Sequence, residues 1–184
     1  MRIGAEYFGE CKVNNGFAHE SAKNKTVEWY TPRYIFDALG VQFDLDPCSP
    51  GKDVVPWVPA TDCYTVEQDG LMLPWHGNVW MNPPYGKNTP VWLERLSLHG
   101  TGIALLFSRT DAAWFHKYVS NASAICFVKG RIRFVDEENA GLYADELYEP
   151  QNTPGAGSML IAYGKDNAES LRKSNLGLVW GLLK

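Results

Sequence analysis

The sequence predicts an α/β fold: a mostly parallel sheet with helices on its faces and an antiparallel hairpin at one edge. Three observations carry this. From residue 26 onward, short apolar runs alternate with stretches of helical period, the pattern of successive strand and helix units. Thr31-Pro32 and Thr89-Pro90 each read as a helix start, a hydroxyl cap followed by proline at the first helical position. The run Gly102-Ile103-Ala104-Leu105-Leu106-Phe107 is almost wholly apolar, as a central strand covered on both faces must be.

The composition bounds the function. Hydrophobic residues make up 45% of 184, enough for one sizeable core. We expect an N-terminal arm over residues 1–25, where Gly, Asn and Lys mix without period, and a single domain over 26–184. No apolar run approaches the ~18 residues that span a bilayer, and the first residues lack a secretory apolar segment, so a cytoplasmic protein with no membrane partner is expected. Cys11, Cys48, Cys63 and Cys126 fall at no metal spacing; they read as free structural thiols, with no metal. The net charge of −4 argues against a broad nonspecific grip on nucleic acid and leaves room for a local basic patch. Nothing in the sequence calls for an obligate protein partner.

Taken in order, Ile35, Phe36 and Leu39 share one face of a first helix, which Gly40 closes. Val41, Phe43 and Leu45 alternate as a strand that ends in the turn-rich Asp46-Pro47-Cys48-Ser49-Pro50-Gly51. Prolines break residues 52–75 into loop with at most a short strand. Asn78 to Asn82 is a buried strand. Val91, Trp92 and Leu96 face inward from a helix that stops near Gly100. After Gly102–Phe107, Thr110-Asp111 begins a helix with Trp114, Phe115 and Tyr118 inward. Ala124 to Val128 is a strand, and Arg131 to Val135 alternates cleanly. Residues 157–163 form another strand, expected to pair with Ile132 to Val135. Asp166 and Glu169 suit a capped helix start, and Leu176 to Leu183 is a final apolar piece.

Ligands of such a sheet gather beyond the carboxyl ends of its strands. Asp46, Asn82 and Ser108-Arg109 all stand at predicted carboxyl ends, so three polar terminations meet on one rim. The most informative is Asn82-Pro83-Pro84-Tyr85. Neither proline has an N–H, and the residue before each is pushed out of the helical region, so the chain leaves the strand as a stiff hook. The Asn82 side-chain oxygen and the Pro83 carbonyl can both accept from one planar amino group, and the Tyr85 ring can stack on the heterocycle that carries it.

The series Trp29-Tyr30-Thr31-Pro32, Phe43-Asp44-Leu45-Asp46-Pro47-Cys48, Asp69-Gly70-Leu71 with Trp75, and Met81-Asn82-Pro83-Pro84-Tyr85-Gly86 resembles the phage-type DNA N-6-adenine methyltransferases, compact relatives of the Dam enzymes. The similarity continues through Arg109-Thr110-Asp111 and Gly130-Arg131-Ile132-Arg133-Phe134, and runs from about Trp29 to Tyr163. It implies a trimmed Rossmann-like methyltransferase fold, in a bacterial host cell and carried by a phage or prophage. It also implies methyl transfer from S-adenosylmethionine to the N6 amino group of adenine in double-stranded DNA. Asn82, Pro83, Pro84 and Tyr85 would be catalytic. Tyr30, Thr31, Asp46, Asp69 and Leu71 would bind the cofactor: Asp46 its ammonium, Thr31 its carboxylate, and Asp69 with Leu71 its exocyclic amine. Asp62 and Glu67 are both candidates for the ribose diol. Lys87, Arg109, Arg131 and Arg133 are candidate DNA contacts.

Two features depart from the wider methyltransferase pattern. A glycine-rich loop after the first strand is replaced by Asp-Pro-Cys-Ser-Pro-Gly, and only 23 positions separate Asp46 from Asp69, too few for a full strand and helix. The same hook can hold a cytosine N4 or a glutamine amide, and a catalytically inactive DNA-binding relative would share much of the pattern.

Overall fold

The structure is a computed structural model that describes residues 28–151 and 153–181. The expected arm over 1–25 lies outside the described residues. Strand β1 (Trp29–Tyr30) leads through Thr31 and Pro32 into helix α1 (Arg33–Leu39), followed by β2 (Phe43–Asp46), β3 (Ala60–Cys63) and β4 (Val79–Met81). Helix α2 (Thr89–His99), β5 (Gly102–Phe107), α3 (Ala113–Tyr118) and β6 (Ala124–Val128) come next. The chain closes with β7 (Val135–Asp136), α4 (Ala140–Ala144), β8 (Ser158–Tyr163), α5 (Lys165–Lys173) and β9 (Gly177–Gly181).

Seven strands form one sheet in the order β3-β2-β4-β5-β8-β6-β9. Strands β3, β2, β4 and β5 run parallel; β8 is antiparallel to both neighbours, so β6 resumes the common direction and β9 opposes it. Five of the seven strands therefore point one way. Antiparallel pairing occupies one side of the sheet, as expected, but the expected partners are wrong. Residues 158–163 pair with β5 and β6, and β7 pairs with β1 in a separate two-stranded sheet. The alternation at Ile132 and Phe134 remains in their burial, while Arg131 and Arg133 stay exposed. Inward-facing alternation there reflects burial under the sheet rather than membership of it.

Helices cover both faces. On one face Ile35, Phe36 and Leu39 of α1, Ala140 of α4 and Leu171 of α5 pack over Trp80, Ile103, Leu105 and Leu160. Phe36 and Phe43 both meet the Trp80 ring, at 4.7 and 5.5 Å between centroids. On the other face Trp92, Leu93 and Leu96 of α2, with Val119 and Ala122, pack over Met81, Ala104 and Leu106. Gly40 takes the left-handed conformation (φ 61°) that ends α1, its N–H donating to the Phe36 carbonyl; Gly100 ends α2 likewise.

The two Thr-Pro starts are resolved differently from the expectation. Pro32 is itself the cap of α1, with extended backbone, so Thr31 lies one residue too early to cap it. Thr89 is inside α2, where its hydroxyl donates to the Pro84 carbonyl and accepts from the Gly86 N–H. It fastens the hook rather than the helix end.

Candidate active site

The site is built on the carboxyl ends of β2 and β4, neighbours in the sheet with Leu45 opposite Val79. Strand β2 does not alternate simply. The Asn78 carbonyl accepts from both the Asp44 and Leu45 amides, at 2.7 and 3.4 Å, a bulge that puts two residues against one. Phe43 and Leu45 consequently belong to opposite core layers. Past the bulge, Asp46 turns into a small cleft lined with Ser49, Lys52, Val55, Val58, Ala60 and Cys63.

Asp46 is 5% exposed. Its carboxylate accepts from the Cys48 backbone N–H at 3.2 Å, with the Cys48 thiol 3.7 Å away. No cation pairs with it among the described residues; Lys52, in the same cleft, donates instead to the Thr61 carbonyl. Burial outweighs the Cys48 hydrogen bonds and pushes its pKa up from 3.8 to about 7. The Cys48 thiol is raised well above its usual range by burial and by the Asp46 charge beside it, so it stays protonated. Its sulfur also faces the Asn82 backbone N–H. Cys48 thus joins Asp46 to the hook, a link that its place in a turn gave no reason to expect.

The hook leaves β4 at Asn82. The Asn82 amide group donates to the Trp29 carbonyl at 2.8 Å, which aims its oxygen the other way. That oxygen accepts from the Tyr85 hydroxyl at 3.0 Å. The Tyr85 ring lies on Phe107 at the end of β5, with centroids 4.1 Å apart and planes 13° from parallel. Pro83 is buried and Pro84 exposed. Tyr85 is therefore turned inward over the acceptor of Asn82. Phe107, hidden in the sequence among the apolar residues of a central strand, is the surface it rests on.

Gly70, between Asp69 and Leu71, lies against the turn that follows Asp46, though neither Asp69, which is exposed, nor Leu71 lines the cleft. A Cβ on Gly70 would stand 1.8 Å from the Pro47 carbonyl oxygen, so only glycine lets this loop lie against the Asp46-Pro47 turn. Asp69 itself adopts φ 53°, and its carboxylate accepts from the Leu71 N–H at 3.1 Å. Arg95 of α2 holds the loop from behind, donating to the Leu71 and Leu73 carbonyls with its guanidinium 4.9 Å over the Trp75 ring. The two ribose candidates stand apart from the cleft lining: Asp62 is paired with His76 at 3.1 Å, and Glu67 accepts from Thr65 at 2.6 Å.

Tyr30, in β1, and Thr31, which follows it, are both buried. The Tyr30 hydroxyl donates to Glu28 at 2.9 Å, and burial raises its pKa strongly. The Thr31 carbonyl accepts from the Trp57 indole at 2.8 Å, but its hydroxyl is buried with no partner among the described residues. A buried hydroxyl left unpaired is unfavourable, as is a buried carboxylate with no counter-charge. Both would be satisfied by a ligand with a cationic head and hydrogen-bonding groups.

Lys87 follows the hook, and Arg109 follows β5 by two residues. The Arg131 guanidinium lies 3.9 Å from where a Gly157 Cβ would be, beside Ser108. Arg133 lies near Tyr34, whose pKa its charge works to lower. All four cations are exposed, and none pairs with a carboxylate of the described residues.

No curated protein and no solved structure matches the chain. One family model does: that described as DNA N-6-adenine-methyltransferase (Dam) matches residues 19–163.

Proposed function

The chain belongs to the DNA N-6-adenine-methyltransferase (Dam) family, and from that premise we propose that it methylates the N6 amino group of adenine in duplex DNA with S-adenosylmethionine as donor. The observation that supports this reading is the junction of Asp46, Cys48 and Asn82. A buried carboxylate with no cation partner among the described residues is linked through the Cys48 thiol to the backbone N–H of the proline-locked Asn82.

Bound in the cleft, S-adenosylmethionine supplies an electrophilic methyl group on sulfur. Asp46 would hold its ammonium, the orphaned Thr31 hydroxyl its carboxylate, and Asp69 with Leu71 its exocyclic amine, with Tyr30 packed beneath. The cleft beside Asp46 is far smaller than the roughly 300–1,000 Å³ of typical small-molecule pockets, so it must open as it fills. Residues 49–58, mostly loop, form much of its wall and can move without breaking the sheet.

The target adenine must leave the duplex stack to reach Asn82. Its amino group then takes over the Asn82 oxygen from the Tyr85 hydroxyl and donates its second hydrogen to the Pro83 carbonyl. The exchange replaces one hydrogen bond by another, so it costs little. The Tyr85 ring, released from Phe107, becomes a stacking surface for the base. With both hydrogens held, the nitrogen lone pair is directed away from the ring toward the methyl donor. Alignment and support of the positive charge developing on nitrogen are the sources of rate. No protein nucleophile is required, and Cys48, kept as a thiol, is not one.

The test is incubation of the protein with labelled cofactor and duplex DNA, followed by nucleoside analysis. Label in N6-methyladenine is the expected product; label in N4-methylcytosine, or in protein glutamine, would overturn the reading. Asn82→Ala should lower transfer by at least about a hundredfold, the scale on which single polarising groups act, with cofactor binding still measurable by calorimetry.

A further inference from the structure

Among the described residues two buried side-chain polar atoms lack a hydrogen-bond partner, the Thr31 and Ser158 hydroxyls. The reading above assigns the Thr31 hydroxyl to the cofactor. Ser158 is 2% exposed and opens β8 directly opposite Phe107 of β5. Directly opposed residues of an antiparallel pair project from the same face, with their side chains in contact range. The hydroxyl therefore stands beside the ring on which Tyr85 is stacked. In the sheet order, Asp46 and its cleft lie on one side of β4, and Ser158 lies on the other, beyond β5. The unpaired hydroxyl is thus on the side where the ring of an extruded base must lie once Tyr85 gives up its place.

Resting on the reading above, we infer that Ser158 is a substrate-contacting residue: its hydroxyl donates to a ring nitrogen of the target adenine. The amino group is then held at Asn82 and the ring at β8, so the purine is fixed at two points. A serine kept only for packing would lose nothing as alanine, since its hydroxyl bonds to none of the described residues. Arg131 and the exposed Arg109 flank the same end of β5 and β8, where the phosphates next to an extruded nucleotide pass.

The experiment compares the unmodified protein with Ser158→Ala on duplexes that carry adenine, 1-deazaadenine, 3-deazaadenine or 7-deazaadenine at the target. Ser158→Ala should melt at the same or a higher temperature and bind the cofactor unchanged. Its kcat/KM on adenine DNA should fall about tenfold, the effect of one lost hydrogen bond to a buried acceptor. One deaza base should cost the unmodified protein a similar factor and cost Ser158→Ala nothing more. Equal kcat/KM for the two proteins on adenine, equal sensitivity to all three deaza bases, or a lower melting temperature for Ser158→Ala would overturn the assignment. Absence of transfer by the unmodified protein to any adenine would overturn the reading of the whole site as well.

Discussion

A carboxylate buried without a cation is costly to ionise, and Asp46, which no cation of the described residues pairs with, has a pKa raised from 3.8 to about 7. The sign of the consequence is fixed. Between these two values the folded chain holds a proton that the unfolded chain has released. The contribution of Asp46 to stability is therefore complete below pH 4 and lost as the pH rises through 7. The slope approaches about 1.4 kcal/mol per pH unit for one proton. Asp46→Asn should flatten this part of the profile, as measured by urea unfolding between pH 4.5 and 7.5 at constant ionic strength; an unchanged slope would show that another group is responsible. The same physics makes the site selective. A cationic ligand stabilises the ionised form, so cofactor binding should release a proton near pH 6 and not near pH 8.

Among the elements, the loop that carries Asp69 shows most directly how position depends on a side chain that is absent. Gly70 lies where a methyl group would overlap the Pro47 carbonyl, with the Trp92 ring 3.3 Å from the same point. Gly70→Ala should push the loop away from the Asp46-Pro47 turn. Overpacking of this kind costs about 1–3 kcal/mol, and cofactor affinity should fall by more than the stability change alone implies. Chemical denaturation and calorimetry on the same variant separate the two. How much of the site was legible differs from element to element. The hook was legible because two prolines constrain the backbone whatever surrounds them. The bulge in β2 was not: Val41, Phe43 and Leu45 read as one face, and only the Asn78 carbonyl, far along the chain, divides them. Arg131 to Val135 read as a sheet strand because its alternation was real, yet the alternation records which side is buried and not which strand is the partner.

For the whole molecule, a net charge of −4 is reconciled with a polyanionic substrate by where the charges are. Arg33, Lys117, Arg172 and Lys173 are paired with glutamates. Lys87, Arg109, Arg131 and Arg133 are not paired among the described residues. Lys87 and Arg109 follow β4 and β5, and Arg131 lies beside Gly157, all around the rim that carries the hook. Each phosphate neutralised by such a cation adds about 0.9 to the slope of log K against log salt on duplex DNA. Arg109→Ala and Arg131→Ala should each weaken DNA binding and reduce that slope by about one, whatever the sequence of the duplex. Titrations at several salt concentrations measure it. A slope unchanged in both variants would remove these residues from the interface.

The sequence alone determined what is local. It marked the strand runs by their apolar content, the closing glycines of α1 and α2 by their freedom, and the stiff acceptor corner at Asn82 by two missing N–H groups. The tertiary structure decided what depends on neighbours: that Cys48 ties Asp46 to Asn82, that Tyr85 rests on Phe107, and that the Thr31 and Ser158 hydroxyls find no partner among the described residues. Hydrogen-bond satisfaction and burial are properties of an environment assembled from distant segments, and no single stretch of chain contains that information.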